Sequence, residues 1–174
     1  MDAVDAAKPH VSGIVGIAHT ALCVGDVDAA VVWYRDVLGL AVLSAPYRME
    51  GEQITADMGE LIPPPVVVKA AIMGAPDAGD RVLEIIEYPN VPSQSTAQAD
   101  VTRRGLTHVG LVCDDIDAMR AALENAGTRF LTAGIADVAG LRTTWCTDPW
   151  DNILILLEKR AKPDAPYWQQ YSVS

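Results

Sequence analysis

Two histidines and one glutamate are the residues of this chain whose types and positions indicate chemistry. His19 and His108 hold matching places in two similar segments 89 residues apart, and Glu84 stands among leucine and isoleucine in VLEIIE. A carboxylate in so apolar a strand is costly to bury unless it is paired or binds a cation. Two imidazoles and a carboxylate are a common ligand set for Zn, Fe, Mn, Ni or Co. The sequence therefore predicts a divalent metal site at His19, Glu84 and His108, although a single strand histidine is more often a core residue.

The two histidines belong to a longer internal repeat. HTALCVGDVDA, residues 19–29, aligns with HVGLVCDDIDA, residues 108–118, and five of the eleven positions are identical. In each copy an aspartate that suits a helix N-cap precedes apolar residues at helical spacing. The apolar positions also match: Val27, Ala30, Tyr34 and Val37 in the first copy, and Ile116, Met119, Leu123 and Ala126 in the second. Two copies of one module are therefore expected.

The hydrophobic pattern predicts the elements of each copy. The first copy reads as a strand over 13–24, a helix over 27–38, a strand from Leu40, a long loop or hairpin over 48–65, and strands from Val66 and over 81–88. The second reads as a strand through His108, a helix ending at Gly127, a strand at RFLTA (129–133), and strands over 141–147 and 153–159. The predicted fold class is α+β: two tandem βαβββ modules forming a shared cup-shaped mixed sheet. The expected divisions are an arm at 1–12, modules at 13–88 and 105–159, a linker at 89–104 and a tail at 160–174, whose aromatic residues favour docking on the body or on a partner.

Composition narrows the expected partners. Thirteen Lys and Arg against 23 Asp and Glu leave a net charge of -10, which argues against nucleic acid and anionic membrane surfaces. No apolar run approaches the ~18 residues of a membrane span, so a cytoplasmic protein with a small-molecule substrate is expected. The three cysteines, Cys23, Cys113 and Cys146, contain no CxxC pair and are predicted to be buried strand residues. Exposed sheet edges make a homodimer plausible.

The segments AHTALCVGDVDAAVVWYRDVLGL, LEIIEYPN, GLTHVGLVCDDIDA and DPWDNILILLE resemble the vicinal oxygen chelate superfamily, which includes glyoxalase I, extradiol dioxygenases and bleomycin-resistance proteins. The resemblance covers about residues 13–159. It implies metal ligands on the first and last strands of each module, at His19, Glu84 and His108. The fourth position of the family pattern is Ile155 in this chain, because aligning LEIIE with LILLE places Glu84 opposite Ile155 and Glu87 opposite Glu158.

The resemblance implies a metal-dependent lyase or isomerase that moves a proton on a small oxygen-chelating substrate, with Glu84 as a ligand and proton carrier. An iron-dependent ring-cleaving dioxygenase is an alternative, disfavoured by Ile155. A metal-free binding or resistance protein, favoured by Ile155, is the other. Three further strand residues are candidates for the cup whose facing the sequence leaves open: Lys69, Arg142 and Trp145. Also open is whether one chain or two chains form the cup.

Overall fold

The structure is a computed structural model that describes residues 13, 16–77, 79, 81–92 and 100–170. The predicted arm at 1–12 and residues 93–99 of the predicted linker lie outside the described residues. Module one contains β1 (His19–Cys23), α1 (Val27–Asp36), β2 (Ala41–Glu50), α2 (Glu52–Met58), β3 (Val67–Gly74) and β4 (Val82–Glu87). Module two contains β5 (Val109–Val112), α3 (Ile116–Asn125), β6 (Ala136–Val138), β7 (Leu141–Thr147) and β8 (Ile153–Lys159), and a 3₁₀ turn at Tyr167–Gln169 follows in the tail.

Each module forms its own four-stranded mixed sheet, and the two sheets have the same topology. The strand orders are β1-β4-β3-β2 and β5-β8-β7-β6. The first strand of each module pairs in parallel with the last, and the other pairs are antiparallel. The predicted α+β class with two tandem βαβββ modules is confirmed.

The two main helices begin in the same way. Asp26 Oδ1 accepts a hydrogen bond from Ala29 N at 3.0 Å, and Asp115 Oδ1 accepts one from Ala118 N at 2.9 Å. Free backbone N–H groups at a helix start need such acceptors, so these aspartates fix where α1 and α3 begin.

A glutamate from the last strand of each module supplies a second acceptor. Glu87 Oε2 accepts from Val27 N at 2.9 Å, and Glu158 Oε2 accepts from Ile116 N at 3.3 Å. Both glutamates therefore point to the helix side of their sheets. The opposite side, which does not carry α1 or α3, is called the open face below.

The structure corrects three predicted elements. The chain forms β1 only from His19, because its partner β4 begins at Val82. The predicted strand at 129–133 is reduced to one bridge between Phe130 and Cys146, and β6 forms at 136–138 instead. The Arg120 guanidinium lies 4.0 Å from the centre of the Phe130 ring and binds the carbonyls of 132–134, so those groups serve a side chain rather than a strand ladder.

The predicted long loop over 48–65 is wrong for its first half. β2 extends to Glu50, and α2 follows after Gly51, whose φ of 102° only glycine adopts readily. Ile54 and Met58 of α2 pack against the open face of module one. The segment between β2 and β3 therefore covers part of that face.

The helix sides of the two modules share one core. Its buried residues come from α1 and β4 as well as from α3 and β8. A buried hydrogen bond crosses this core, from Tyr34 Oη on α1 to Asp148 Oδ2 in the turn between β7 and β8, at 2.7 Å. The open faces instead carry two separate small clusters, one around Val68 and Ile86 and one around Ile155 and Leu157.

A buried glutamine, rather than an aromatic residue, holds the tail together. Gln170 is buried and exchanges two hydrogen bonds with the backbone of Lys162, at 2.6 and 2.9 Å. Tyr167 and Trp168 remain exposed and contact each other edge to face. In the part of the chain that the structure describes, no helix has both the length and the apolar character needed to cross a membrane.

Candidate functional site

The open face of module one brings two of the predicted ligands together. The β1–β4 register pairs His19 with Val82 and Ala21 with Glu84, so the side chains of His19 and Glu84 share one face. His19 Nε2 lies 3.3 Å from Glu84 Oε2. The His19 side chain is 52% exposed and that of Glu84 17% exposed. An accessible imidazole therefore stands next to a largely buried carboxylate.

Two tyrosines that the sequence analysis missed border this pair. Desolvation, the charge of Glu84 and a hydrogen bond to it raise the pKa of Tyr47. Desolvation and the nearby Cys23 and Glu84 raise the pKa of Tyr88 as well. Both phenols therefore stay protonated at neutral pH and are available as hydrogen-bond donors. The signal for Tyr47 was its place on β2, but the register shifts of that strand hide its facing.

The open face of module two carries the third predicted ligand. His108 immediately precedes β5, and its ring meets the Trp145 ring at a centroid distance of 4.8 Å and an angle of 72°. Its Nδ1 lies 2.8 Å from Thr107 Oγ1. Ile155, Leu157 and the Trp145 ring form the apolar wall beside it.

The strand registers confirm the internal alignment. Ile155 pairs with Gly110 on β5 as Glu84 pairs with Ala21 on β1. Glu158 lies on the helix side of β8, where it binds the start of α3. The fourth position of the open faces is therefore isoleucine, and Glu158 does not replace it.

One chain does not bring the three predicted ligands together. Across the described residues, no group of three or more His, Cys, Asp or Glu side chains is arranged to hold a metal ion. The reason is the packing of the modules by their helix sides, which keeps His108 with Trp145 on one open face and His19 with Glu84 on the other.

The structure assigns a side of the sheet to each of the three strand residues whose facing the sequence left undecided. The Lys69 ammonium binds the Asp28 carboxylate at the start of α1, and Arg142 binds Asp117 at the start of α3, so both serve the helix side. Trp145 lies on the open face.

The cysteines do not add a nucleophile. Cys146 is buried as predicted, but Cys23 is exposed and Cys113 half-buried, which corrects that expectation. Desolvation raises the pKa of all three thiols, to about 11 for Cys113 and Cys146. A thiolate is the reactive form, so a cysteine nucleophile is disfavoured.

A cavity of about 660 Å³ lies at the seam between the modules. It is lined mainly by aliphatic side chains of both modules, including Leu38, Leu83, Leu111, Met119 and Leu156. His19 lies on its border, whereas Glu84 and His108 do not line it. The cavity therefore adjoins the predicted metal site at His19 but does not contain its other two ligands.

Comparison with known proteins identifies the family. The family model of the Glyoxalase/Bleomycin resistance protein/Dioxygenase superfamily matches residues 16–157. The chain belongs to this superfamily. A curated relative, the uncharacterized protein YaeR of Escherichia coli, is 24% identical over 137 residues, which are 79% of this chain and 91% of YaeR.

Solved structures of the glyoxalase superfamily share the fold. A glyoxalase family protein from Bacillus cereus superposes with a TM-score of 0.74 at 19% identity, covering 88% of this chain and 99% of that one. The trypanothione-dependent glyoxalase I of Leishmania major superposes with a TM-score of 0.56 at 20% identity, covering 82% and 86%. At these identities the likeness extends to the fold and not to the reaction.

Proposed function

We propose that this chain is a metal-dependent enzyme that performs lyase or isomerase chemistry, by proton transfer, on a small substrate with two adjacent oxygens. The observation that carries the proposal is the contact between His19 and Glu84. Glu84 is largely buried, and within the described residues neither Lys nor Arg neutralises it. Burial of a carboxylate is costly, and a bound cation would offset that cost. The imidazole and the carboxylate are donors that suit Zn, Fe, Mn, Ni or Co.

A homodimer would complete the site, with His108 supplied by a second copy. In support, β1 and β5 are both edge strands. Their open-face residues, such as His19, Ala21 and Val112, are exposed although the strands belong to well-packed sheets. Edges of this kind pair with further chains unless they are covered. A two-fold arrangement would place each module-one open face against the module-two open face of the other copy.

The residues of this chain have distinct parts in the proposed reaction. When bound, a divalent cation would hold both substrate oxygens and stabilise the negative charge that develops on them. His19, Glu84 and His108 would hold that cation. Glu84 would also carry the proton between positions on the substrate, and the neighbouring Tyr47 phenol would hold the carboxylate in place. The apolar wall at Ile155 would exclude water.

A complementation experiment tests both the ligands and the assembly. His19→Ala and His108→Ala proteins are dialysed separately against Zn²⁺ or Ni²⁺, then mixed, re-equilibrated through mild dissociation and dialysed again. Each variant alone should lose most of its bound metal. The mixture should regain about a quarter of the wild-type content, because half of the dimers are mixed and each mixed dimer has one intact site of two.

The possible outcomes separate the alternatives. A mixture that regains no metal, from variants that each lose it, would place the three ligands within one chain and overturn the two-chain site. Wild-type metal content in both variants would overturn the ligand assignment itself. Tyr167→Ala is a matched control, since this exposed aromatic residue lies in the tail.

A metal-free binding or resistance protein is the second candidate. The apolar wall of module two favours it, since Ile155 stands where module one has Glu84. Such a protein would keep its ligand affinity in the His19→Ala variant, whereas the proposed enzyme would lose metal and activity. A ring-cleaving iron dioxygenase is less well supported, because its carboxylate position is Ile155.

A cytoplasmic location is part of the proposal. The three cysteines are free thiols, and thiols persist in reducing compartments. Fractionation of the native host that found the protein outside the cytoplasm would contradict it.

A further inference from the structure

We infer that the substrate carries an aromatic or other flat apolar group beside its two oxygens, and at most one negative charge. The inference rests on the proposed function, since it concerns the same paired open faces. Two independent features carry it, namely the wall beside His108 and the distribution of charged residues.

The wall beside His108 is a firmly held apolar surface. Ile155, Leu157 and Leu141 are almost completely buried. The Trp145 ring is partly exposed and meets the His108 ring edge to face at 4.8 Å. A flat group bound next to His108 would therefore contact Trp145.

The backbone of Trp145 is held on both sides. Its carbonyl accepts from Leu131 N at 2.8 Å, and its N–H donates to Thr132 Oγ1 at 3.2 Å. These bonds fix the backbone from which the ring projects, and the ring itself is restrained by packing against the buried cluster and against His108. The wall is therefore set before a substrate arrives, which favours one shape of ligand.

The open faces offer almost no positive charge. On the described strands, the open-face positions include a single cation, Lys159, beside Leu141. Its ammonium already donates to the Ala165 carbonyl at 3.0 Å. Lys69 and Arg142 serve the helix side, and the chain has a net charge of -10. Beyond the proposed metal ion, a substrate with several carboxylates or phosphates would find almost no side-chain counter-charge on these strands and would be repelled by the negative net charge.

The module-one face is compatible with the same kind of substrate. Tyr47, Tyr88 and Met49 pack around Ile86 and Val68 on that face, close to Glu84. Two walls of aromatic and aliphatic side chains would thus border the predicted ligands. Polar recognition would be confined to the substrate oxygens.

Three hydroxy acids with the same chelating group test the inference. Mandelate carries a phenyl group, lactate a methyl group, and malate a second carboxylate. Their dissociation constants are measured by calorimetry on the metal-loaded protein. We expect mandelate to bind about tenfold more tightly than lactate through burial of the ring, and malate to bind more weakly than lactate. A mandelate-to-lactate preference near one, or a malate affinity above that of mandelate, would overturn the inference.

Variants locate the preference. Trp145→Ala should reduce the tenfold preference to below about threefold, and Trp145→Leu, which keeps apolar bulk, should lie between. Trp168→Ala, at an exposed tail position, should keep the full preference. Circular dichroism confirms that each variant is folded. A preference retained in both folded Trp145 variants would contradict the assigned wall.

Failure of the proposed function gives a different result. Phenylacetate and acetate, which lack the second chelating oxygen, are compared on protein stripped of metal. If the protein holds no metal but still prefers phenylacetate through Trp145, the enzyme proposal falls and the apolar wall stands. If metal binds but no phenyl preference exists, the wall inference alone falls.

Discussion

The buried hydrogen bond between Tyr34 and Asp148 holds the two modules together, and Tyr34→Phe removes it alone. The substitution keeps the ring and deletes only the hydroxyl that donates to Asp148 Oδ2 at 2.7 Å. Asp148 retains bonds from the backbone N–H of Trp150 and from Asn152, so the carboxylate is not left without partners. Hydrogen bonds to charged groups contribute about 1.5–3 kcal/mol. We therefore expect the free energy of unfolding to fall by about 2 kcal/mol.

The assay is equilibrium unfolding, by urea and by heat, of the wild type, Tyr34→Phe and the control Tyr167→Phe, whose ring is exposed. A loss of about 2 kcal/mol lowers the melting temperature by about 4–8 °C in a chain of this size. The control should change by less than about 0.5 kcal/mol.

The bond also predicts a pH dependence with a definite sign. Burial and Asp148 raise the pKa of Tyr34 above its ordinary value of about 10. The folded state therefore keeps a proton that the unfolded chain releases, so this contribution is complete below pH 10 and declines above it. Wild-type stability should fall more steeply than that of Tyr34→Phe between pH 9 and 11. Equal unfolding free energies of wild type and Tyr34→Phe at pH 7 would refute the reasoning.

Three further substitutions have expected outcomes. Glu158→Gln should lower the free energy of unfolding in urea by about 1–2 kcal/mol at pH 7. Because Arg160 holds the pKa of Glu158 below its usual range, this contribution is lost as the pH falls through that pKa. Between pH 6 and 3 the variant should therefore lose less stability than the wild type. Gly140→Ala should destabilise the protein more than Gly39→Ala, because both glycines have positive φ but of the two only Gly140 would bring a Cβ within 3 Å of neighbouring atoms. We expect costs of about 3 and about 1 kcal/mol respectively. Equal melting temperatures of the two variants would contradict this. Ile155→Glu should raise Zn²⁺ affinity at least about tenfold in equilibrium dialysis by adding a fourth donor, and unchanged affinity would argue against paired open faces.

Local features of the fold were predictable from residue patterns. The aspartates that begin α1 and α3 and the matched apolar positions of the two copies act within a few residues of themselves, so spacing alone identifies them. The missed features involve longer-range competition. Arg120 binds carbonyls that a strand at 129–133 would need, and the register shifts of β2 decide where Tyr47 points.

Parts of the candidate site were likewise predictable from local patterns, and other parts depended on long-range packing. Residue patterns alone were enough to show that Glu84 and Ile155 hold equivalent places and that Glu87 points the other way, because side chains alternate between the faces of a strand. Which faces of the two modules meet within a chain became known from the three-dimensional packing. The helix sides meet, held by a shared core and the Tyr34–Asp148 bond, and this leaves His108 apart from His19 and Glu84. That choice depends on packing between residues more than 100 positions apart, which no local pattern expresses.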